Sequence, residues 1–186
     1  PHQGVRHVYH LAGRTFVPDS WEFPGDFYRT NTLGTQTVLD YCRKHSLPLT
    51  FVSTYLYGHP QYLPINEEHP LSPTNPYAHS KFLAEELCRF YAEQFGVRVT
   101  IVRPFNIYGP GQPAQFLIPT LIRQALHADA IEVQDAAPRR DFLFLDDMLE
   151  ALLCFLRCEA LHGVYNLGFG RSYSIAELVA LLRQAA

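Results

Sequence analysis

The stretch "NPYAHSKFLAEELCRFYAEQFGVRVTIVRPF", residues 75–105, decides the fold. Residues 75–96 read as one helix. Thr74 or Asn75 stands where a cap belongs, Pro76 suits a first turn, and Gly96 suits a stop. "VRVTIVRPF" (97–105) then reads as a buried strand. A helix that runs straight into a β-branched apolar strand is the second part of a βαβ unit.

The preceding strand lies upstream. "PLTFVSTYLYG" (48–58) is rich in strand formers and ends in glycine. Before it, "DFYRTNTLGTQTVLDYCRKH" (26–45) reads as a helix with Phe27, Leu33, Val38, Tyr41 and Cys42 on its apolar face. Arg43, Lys44 and His45 close it, as a helix C-terminus favours. "VRHVYHLAG" (5–13) reads as a further strand ending in a small-residue turn. Strand, helix, strand, helix, strand at this spacing predicts right-handed crossovers and a parallel sheet.

After Phe105 the pattern changes. "NIYGPGQPAQ" is a Gly/Pro loop, "FLIPTLIRQAL" a helix, and "AIEV" a short strand. "RRDFLFLDDMLEALLCFLRC" predicts a strand feeding a helix capped by Asp146 or Asp147, and "GVYNLGFGRSYSIAELVALLRQ" repeats that theme. The expected architecture is α/β: a Rossmann-like doubly wound parallel sheet lacking its first β-α units, over 1–106, with a smaller α/β substrate-binding lobe over 107–186. Segments around 139–160 are expected to return to the first domain. No G-x-G-x-x-G occurs, and "GPG" (109–111) and "GFG" (168–170) do not lead from a strand into a helix.

Composition narrows the function. Of 186 residues, 47% are apolar and 18% charged, which is the composition of a globular chain. The net charge is −3 and the 15 Lys+Arg are scattered, which argues against nucleic-acid and membrane-surface binding. No apolar run reaches the ~18 residues a bilayer span needs, and the start does not read as a signal peptide. Cys42, Cys88, Cys154 and Cys158 show no metal-ligand spacing. They read as buried, reduced thiols of a cytoplasmic protein.

Tyr77 and Lys81 stand four apart on the helix, on one face with Ala84, Cys88 and Tyr91. Roughly 0.1 such pair is expected by chance, so the pair alone decides little. A buried ammonium beside the phenol would lower the tyrosine pKa from ~10 and make a general acid/base. A snorkelling lysine beside a core tyrosine fits the same two residues. Ser53 ends the preceding strand, and strand ends of a parallel sheet share the ligand crevice with the following helix starts.

Taken in order, the motifs resemble those of the extended short-chain dehydrogenase/reductases, specifically the NAD-dependent epimerase/dehydratase family acting on nucleotide sugars. "VYHLAG" (8–13), "NTLGTQTVLDYCR" (31–43), "VSTYLYG" (52–58), "PYAHSK" (76–81), "RPFNIYGPGQ" (103–112), "RRDFLFLDD" (139–147) and "GVYNLGFGRSYSIAELV" (163–179) carry the likeness almost from end to end. The resemblance implies Tyr77 as acid/base and Lys81 as its tuner and as a ligand of the nicotinamide ribose. Ser53 would bond the sugar hydroxyl or ketone. Leu11, Ala12, Gly13 and Asn31 would line NAD, or NADP, and Pro104 and Phe105 would sit by the nicotinamide. Asn106 and Arg140 would hold the diphosphate of a nucleotide-diphosphate sugar. The alternative for Arg140 is an ion pair with Asp141 or Asp135. No metal is implied. A homodimer through helices 26–45 and 77–95 is implied by the same likeness.

Departures shape the expected activity. The glycine-rich cofactor loop and the last substrate-binding segment are absent from these residues, so the chain resembles the middle of a longer protein or a truncated relative. The family's 4,6-dehydratases carry carboxylates directly after the catalytic Ser/Thr, where Thr54 and Tyr55 stand. The resulting expectation is a C4 epimerase, with a 4-keto-sugar reductase as the alternative and a 4,6-dehydratase behind it. A non-catalytic binding protein or an inactive fragment is the reading of another class.

Overall fold

The computed structural model describes residues 4–157 and 162–185. Cys158 lies outside them. The chain divides into two compact units, one formed by residues up to Pro104 with Leu152–Asn166, the other by Phe105–Ala151 with the residues from Leu167 onward. The segment grouped with the first unit is therefore Leu152–Asn166, and Arg139–Ala151, expected to return with it, belongs to the second.

The first unit holds a four-stranded sheet in the order β1 (Val8–His10), β2 (Leu49–Val52), β3 (Val99–Pro104), β6 (Gly163–Leu167). β1, β2 and β3 are parallel, with Val8 opposite Leu49 and Leu49 opposite Val99. Two long helices cover the sheet, α3 (Gly34–His45) and α4 (Pro76–Phe95). Leu39 and Cys42 of α3, Ala84, Cys88 and Tyr91 of α4, and Leu49, Phe51, Val99 and Ile101 of the strands form one buried core. β3 is buried along its whole length, as a central parallel strand should be.

α4 starts and stops as its residues dictate. The Asn75 side chain accepts the Ala78 N–H at 2.8 Å, and Gly96 takes φ 68 at the C-cap. The helix expected over 26–45 is different in detail. α1 (Val17–Glu22) and α2 (Pro24–Phe27) precede it, and Tyr28–Leu33 is π-helical before α3 begins. A π turn carries one extra residue and rotates the face that follows. Asn31 is thereby buried, while Leu33, assigned to the apolar face, is 57% exposed.

The expected strand over 48–58 ends at Val52, because the backbone then leaves the sheet after Ser53 N–H bonds Val102 C=O at 2.7 Å. In the second unit, β4 (Asn106–Tyr108) runs parallel to β5 (Arg139–Phe144), and β7 (Ser172–Ser174) runs antiparallel to β5. α5 (Leu117–His127) and α7 (Ile175–Ala185) belong to this unit, and α6 (Leu145–Arg157) follows β5 without a loop. Asp146 and Asp147 therefore lie within the first turn of α6 and do not cap it. "AIEV" (130–133) forms no strand; Glu132 N–H is held by Gln124 Oε1 at 2.6 Å. Cys42 and Cys88 are buried free thiols, but Cys154 is exposed, contrary to expectation. Among the described residues no helix is long and apolar enough to cross a membrane, and no cluster of side chains suits a metal ion.

Candidate active site

α4 grips the end of β2. Lys81 Nζ donates to Val52 C=O at 2.6 Å and stands 4.2 Å from the centre of the Phe51 ring. Tyr77, one turn earlier, has a side-chain hydrogen bond with Thr54. The two helix residues thus hold the residues on either side of Ser53. Ser53 itself is buried, and its Oγ has no hydrogen-bond partner among the described residues. A buried hydroxyl left unpaired costs free energy unless a ligand supplies its partner. Phe27 packs edge-on to the Tyr77 ring at 6.3 Å, which fixes the ring plane.

The electrostatics correct one expectation. Burial raises the Tyr77 pKa, and the Thr54 bond opposes it without overcoming it. Lys81 is not among the groups that shift it: its ammonium loses its charge near 8, before the raised phenol would ionise. Burial also brings the Lys81 pKa down to about 8, against the pull of Cys88 and Glu85. The resting pair is a neutral phenol and an ammonium that titrates near pH 8.

The turn after β1 is open: Leu11, Ala12 and Gly13 are exposed. Asn31, expected to line the cofactor, is only 1% exposed. Its Oδ1 accepts Arg14 N–H at 2.8 Å and its Nδ2 donates to Arg14 C=O at 3.1 Å. It holds the turn and offers no atom to solvent. A Cβ on Gly13 would come within 3.1 Å of that Oδ1, so glycine keeps the turn close to Asn31. An exposed turn with a glycine, at the carboxyl end of a parallel strand and beside a buried lysine, suits a dinucleotide. Behind the site, His10 is buried and bonded to Thr35 at 3.0 Å. Pro104 is buried at the end of β3.

Three further expected residues belong to the second unit. Phe105 is half-buried. Asn106 Nδ2 donates to Asp141 C=O at 3.0 Å, so this amide steadies β5. Arg140 is exposed, and its guanidinium donates to the Arg139 C=O at 3.0 Å. Asp141 is committed to the Phe169 and Gly170 amides, both at 2.8 Å, and Asp135 to the Ala137 amide. Neither carboxylate pairs with Arg140. Thr54 and Ser80 are the residues the sequence did not single out. Thr54 stands beside Ser53 in the same motif, so its type and position were the available signal.

The fold and these residues define a Rossmann-like α/β protein with a tyrosine–lysine pair at the carboxyl end of its parallel sheet. The chain belongs to the NAD dependent epimerase/dehydratase family, whose model matches residues 1–168. It is 39% identical over 190 residues to GDP-6-deoxy-D-mannose reductase of Pseudomonas aeruginosa, covering 96% of this chain and 62% of that protein. It is 31% identical over 199 residues to UDP-glucose 4-epimerase of Halalkalibacterium halodurans, covering 95% and 60%. The solved structure of RMD from Pseudomonas aeruginosa complexed with NADPH matches with a TM-score of 0.87 and 36% identity, over 96% of this chain and 66% of that one. The chain thus spans about three fifths of the length of these curated relatives.

Proposed function

We propose that this chain carries the acid/base machinery of an NAD(P)-dependent enzyme that works at C4 of a nucleotide-diphosphate sugar. One observation carries the reading: Lys81 and Tyr77 hold the residues flanking Ser53, whose buried Oγ has no partner among the described residues. A bound nicotinamide dinucleotide would supply the hydride donor or acceptor. Leu11–Gly13 would seat it, with Lys81 toward its ribose and Pro104 and Phe105 toward the nicotinamide.

The residues of the chain handle the proton. Ser53 Oγ bonds the sugar C4 oxygen and Tyr77 exchanges a proton with it. Tyr77 is a phenol at neutral pH, since burial raises its pKa. A phenol is ready to give a proton to an oxygen gaining charge, which is the need of carbonyl reduction. Reduction of a 4-keto sugar uses that donation directly, and the 39% relative named as a reductase supports it. Epimerisation shares the step and adds its reverse. Dehydration lacks carboxylates after Ser53, and equally after Thr54. Asn106 and Arg140 would hold the diphosphate; Arg140 has no carboxylate partner among the described residues to compete. A cytoplasmic setting, supported by the free thiols, and a homodimer belong to the same proposal.

The test is Tyr77→Phe in the full-length protein, with nucleotide-diphosphate 4-keto sugar and NAD(P)H. Turnover is expected to fall at least ~100-fold, with calorimetric nucleotide-sugar affinity within a few-fold of wild type. Near-native turnover would sink the assignment. Wild-type binding without turnover of keto or hydroxy sugars would leave the non-catalytic reading instead.

A further inference from the structure

A buried polar chain joins the turn after β1 to the first turns of α4. Asn31 accepts from Arg14 N–H and donates to Arg14 C=O, and its second amide hydrogen goes to Ser80 Oγ at 2.9 Å. Ser80 Oγ in turn donates to Tyr77 C=O at 2.7 Å. Thr32 Oγ1 donates to Ser80 C=O at 2.9 Å, which ties the π-helical stretch to the same point. Ser80 is fully buried and Asn31 nearly so. Every donor of the Asn31 amide is used, and the Ser80 hydroxyl is used both ways.

Helix formation alone does not call for this serine. Alanine is the better helix former, and a serine that bonds back to the preceding turn slightly weakens a helix. What alanine cannot do is accept from Asn31. The π turn also makes sense here, because its extra residue points Asn31 inward to Arg14 and Ser80 at once.

We propose that Ser80 and Asn31 are positioning residues that hold the Leu11–Arg14 turn in register with the Tyr77–Lys81 turn of α4. A ligand that orders the turn is then felt, through Asn31 and Ser80, by the helix carrying the acid/base pair. Neither side chain touches reacting atoms. The identity of that ligand as a dinucleotide rests on the function proposed above; the mechanical link does not.

Ser80→Ala in the full-length protein tests the link, with amide hydrogen exchange as the readout and NADPH and NADH as probes. Arg14 N–H is expected to exchange at least ~10-fold faster, while the Ile101 amide in β3 keeps its rate. Dinucleotide Kd should rise about fivefold, and kcat at saturating dinucleotide should fall. Asn31→Asp keeps the acceptor for Arg14 but loses both donors, and should show the same pattern. The double variant should be no worse than Asn31→Asp alone, because both changes cut one chain. Unchanged Arg14 exchange in Ser80→Ala, or strictly additive effects, overturns the proposal. If wild type binds neither dinucleotide, the proposed function fails, and the Arg14 exchange still decides the link.

Discussion

The ion pair behind the site gives the sharpest stability test. Arg103, 2% exposed, lies at the end of β3, and Glu85, fully buried, lies one turn after Lys81 on α4. The pair is bidentate, with Nε to Oε1 at 2.9 Å and Nη2 to Oε2 at 2.6 Å. Arg103 Nη1 also donates to Tyr57 Oη at 2.9 Å, and Arg89 reaches Glu85 at 2.9 Å. Removing one member of a buried pair costs about 3–5 kcal/mol, because the other charge is left in low dielectric. Glu85→Met should be the harsher change, at about 4 kcal/mol, since it leaves Arg103 with only neutral partners. Arg103→Met should cost about 3 kcal/mol, since Arg89 still faces Glu85. The double Met variant should cost under about 2 kcal/mol, as an apolar pair of similar volume often replaces a buried ion pair at little cost. Urea unfolding followed by tryptophan fluorescence and circular dichroism reads these values. At a slope of about 2 kcal/mol/M, Glu85→Met lowers the midpoint by about 2 M. A Glu85→Met midpoint within about 0.5 M of wild type, or a double variant as unstable as the sum of the singles, refutes the reasoning.

Two pH effects follow from other buried groups. Burial first, and the Lys81 charge second, hold His10 at about 4 against a usual 6.5. The folded state binds this proton less readily, so the stability is present above 6.5 and is lost as pH falls towards 4. The full shift corresponds to about 3 kcal/mol, and screening leaves about 2 kcal/mol; His10→Asn should flatten that part of the urea stability profile, and an unchanged slope would exclude His10. Lys81 is charged below about 8 and neutral above it. The kcat profile should therefore lose its high-pH limb near 8, and Glu85→Gln, which removes a carboxylate that raises the Lys81 pKa, should move that limb to lower pH; a limb that stays in place removes Lys81 as its source.

What the sequence shows and hides follows from the range of each interaction. The α4 boundaries were legible because Asn75, Pro76 and Gly96 act on their own turn. The parallel order of β1, β2 and β3 was legible because short apolar strands alternate with helices. The π-helical stretch was not, since its register is set by Arg14 and Ser80, far away in sequence. Leu33 faces solvent for the same reason, since a 3.6-residue period fails where one residue is inserted. At the candidate site the pairing of Tyr77 with Lys81 was visible as a spacing. The direction of the Lys81 ammonium was not, because its partner Val52 is a backbone carbonyl, and any residue type supplies one. Thr54 was passed over because adjacent hydroxyl residues at a strand end are told apart only by where the chain turns.

The place where the chain turns sets the two hydroxyls apart. Residues alternate sides along an extended strand, so Ser53 and Thr54 would face opposite ways if β2 continued. β2 stops at Val52. Once the strand stops, Lys81 can hold the carbonyl before Ser53 while Tyr77 meets the side chain after it. Thr54 then meets the tyrosine hydroxyl, and Ser53 Oγ is left without a partner among the described residues. Under the function proposed above, a sugar oxygen would bring one hydrogen bond to Ser53 and take the place of Thr54 at Tyr77.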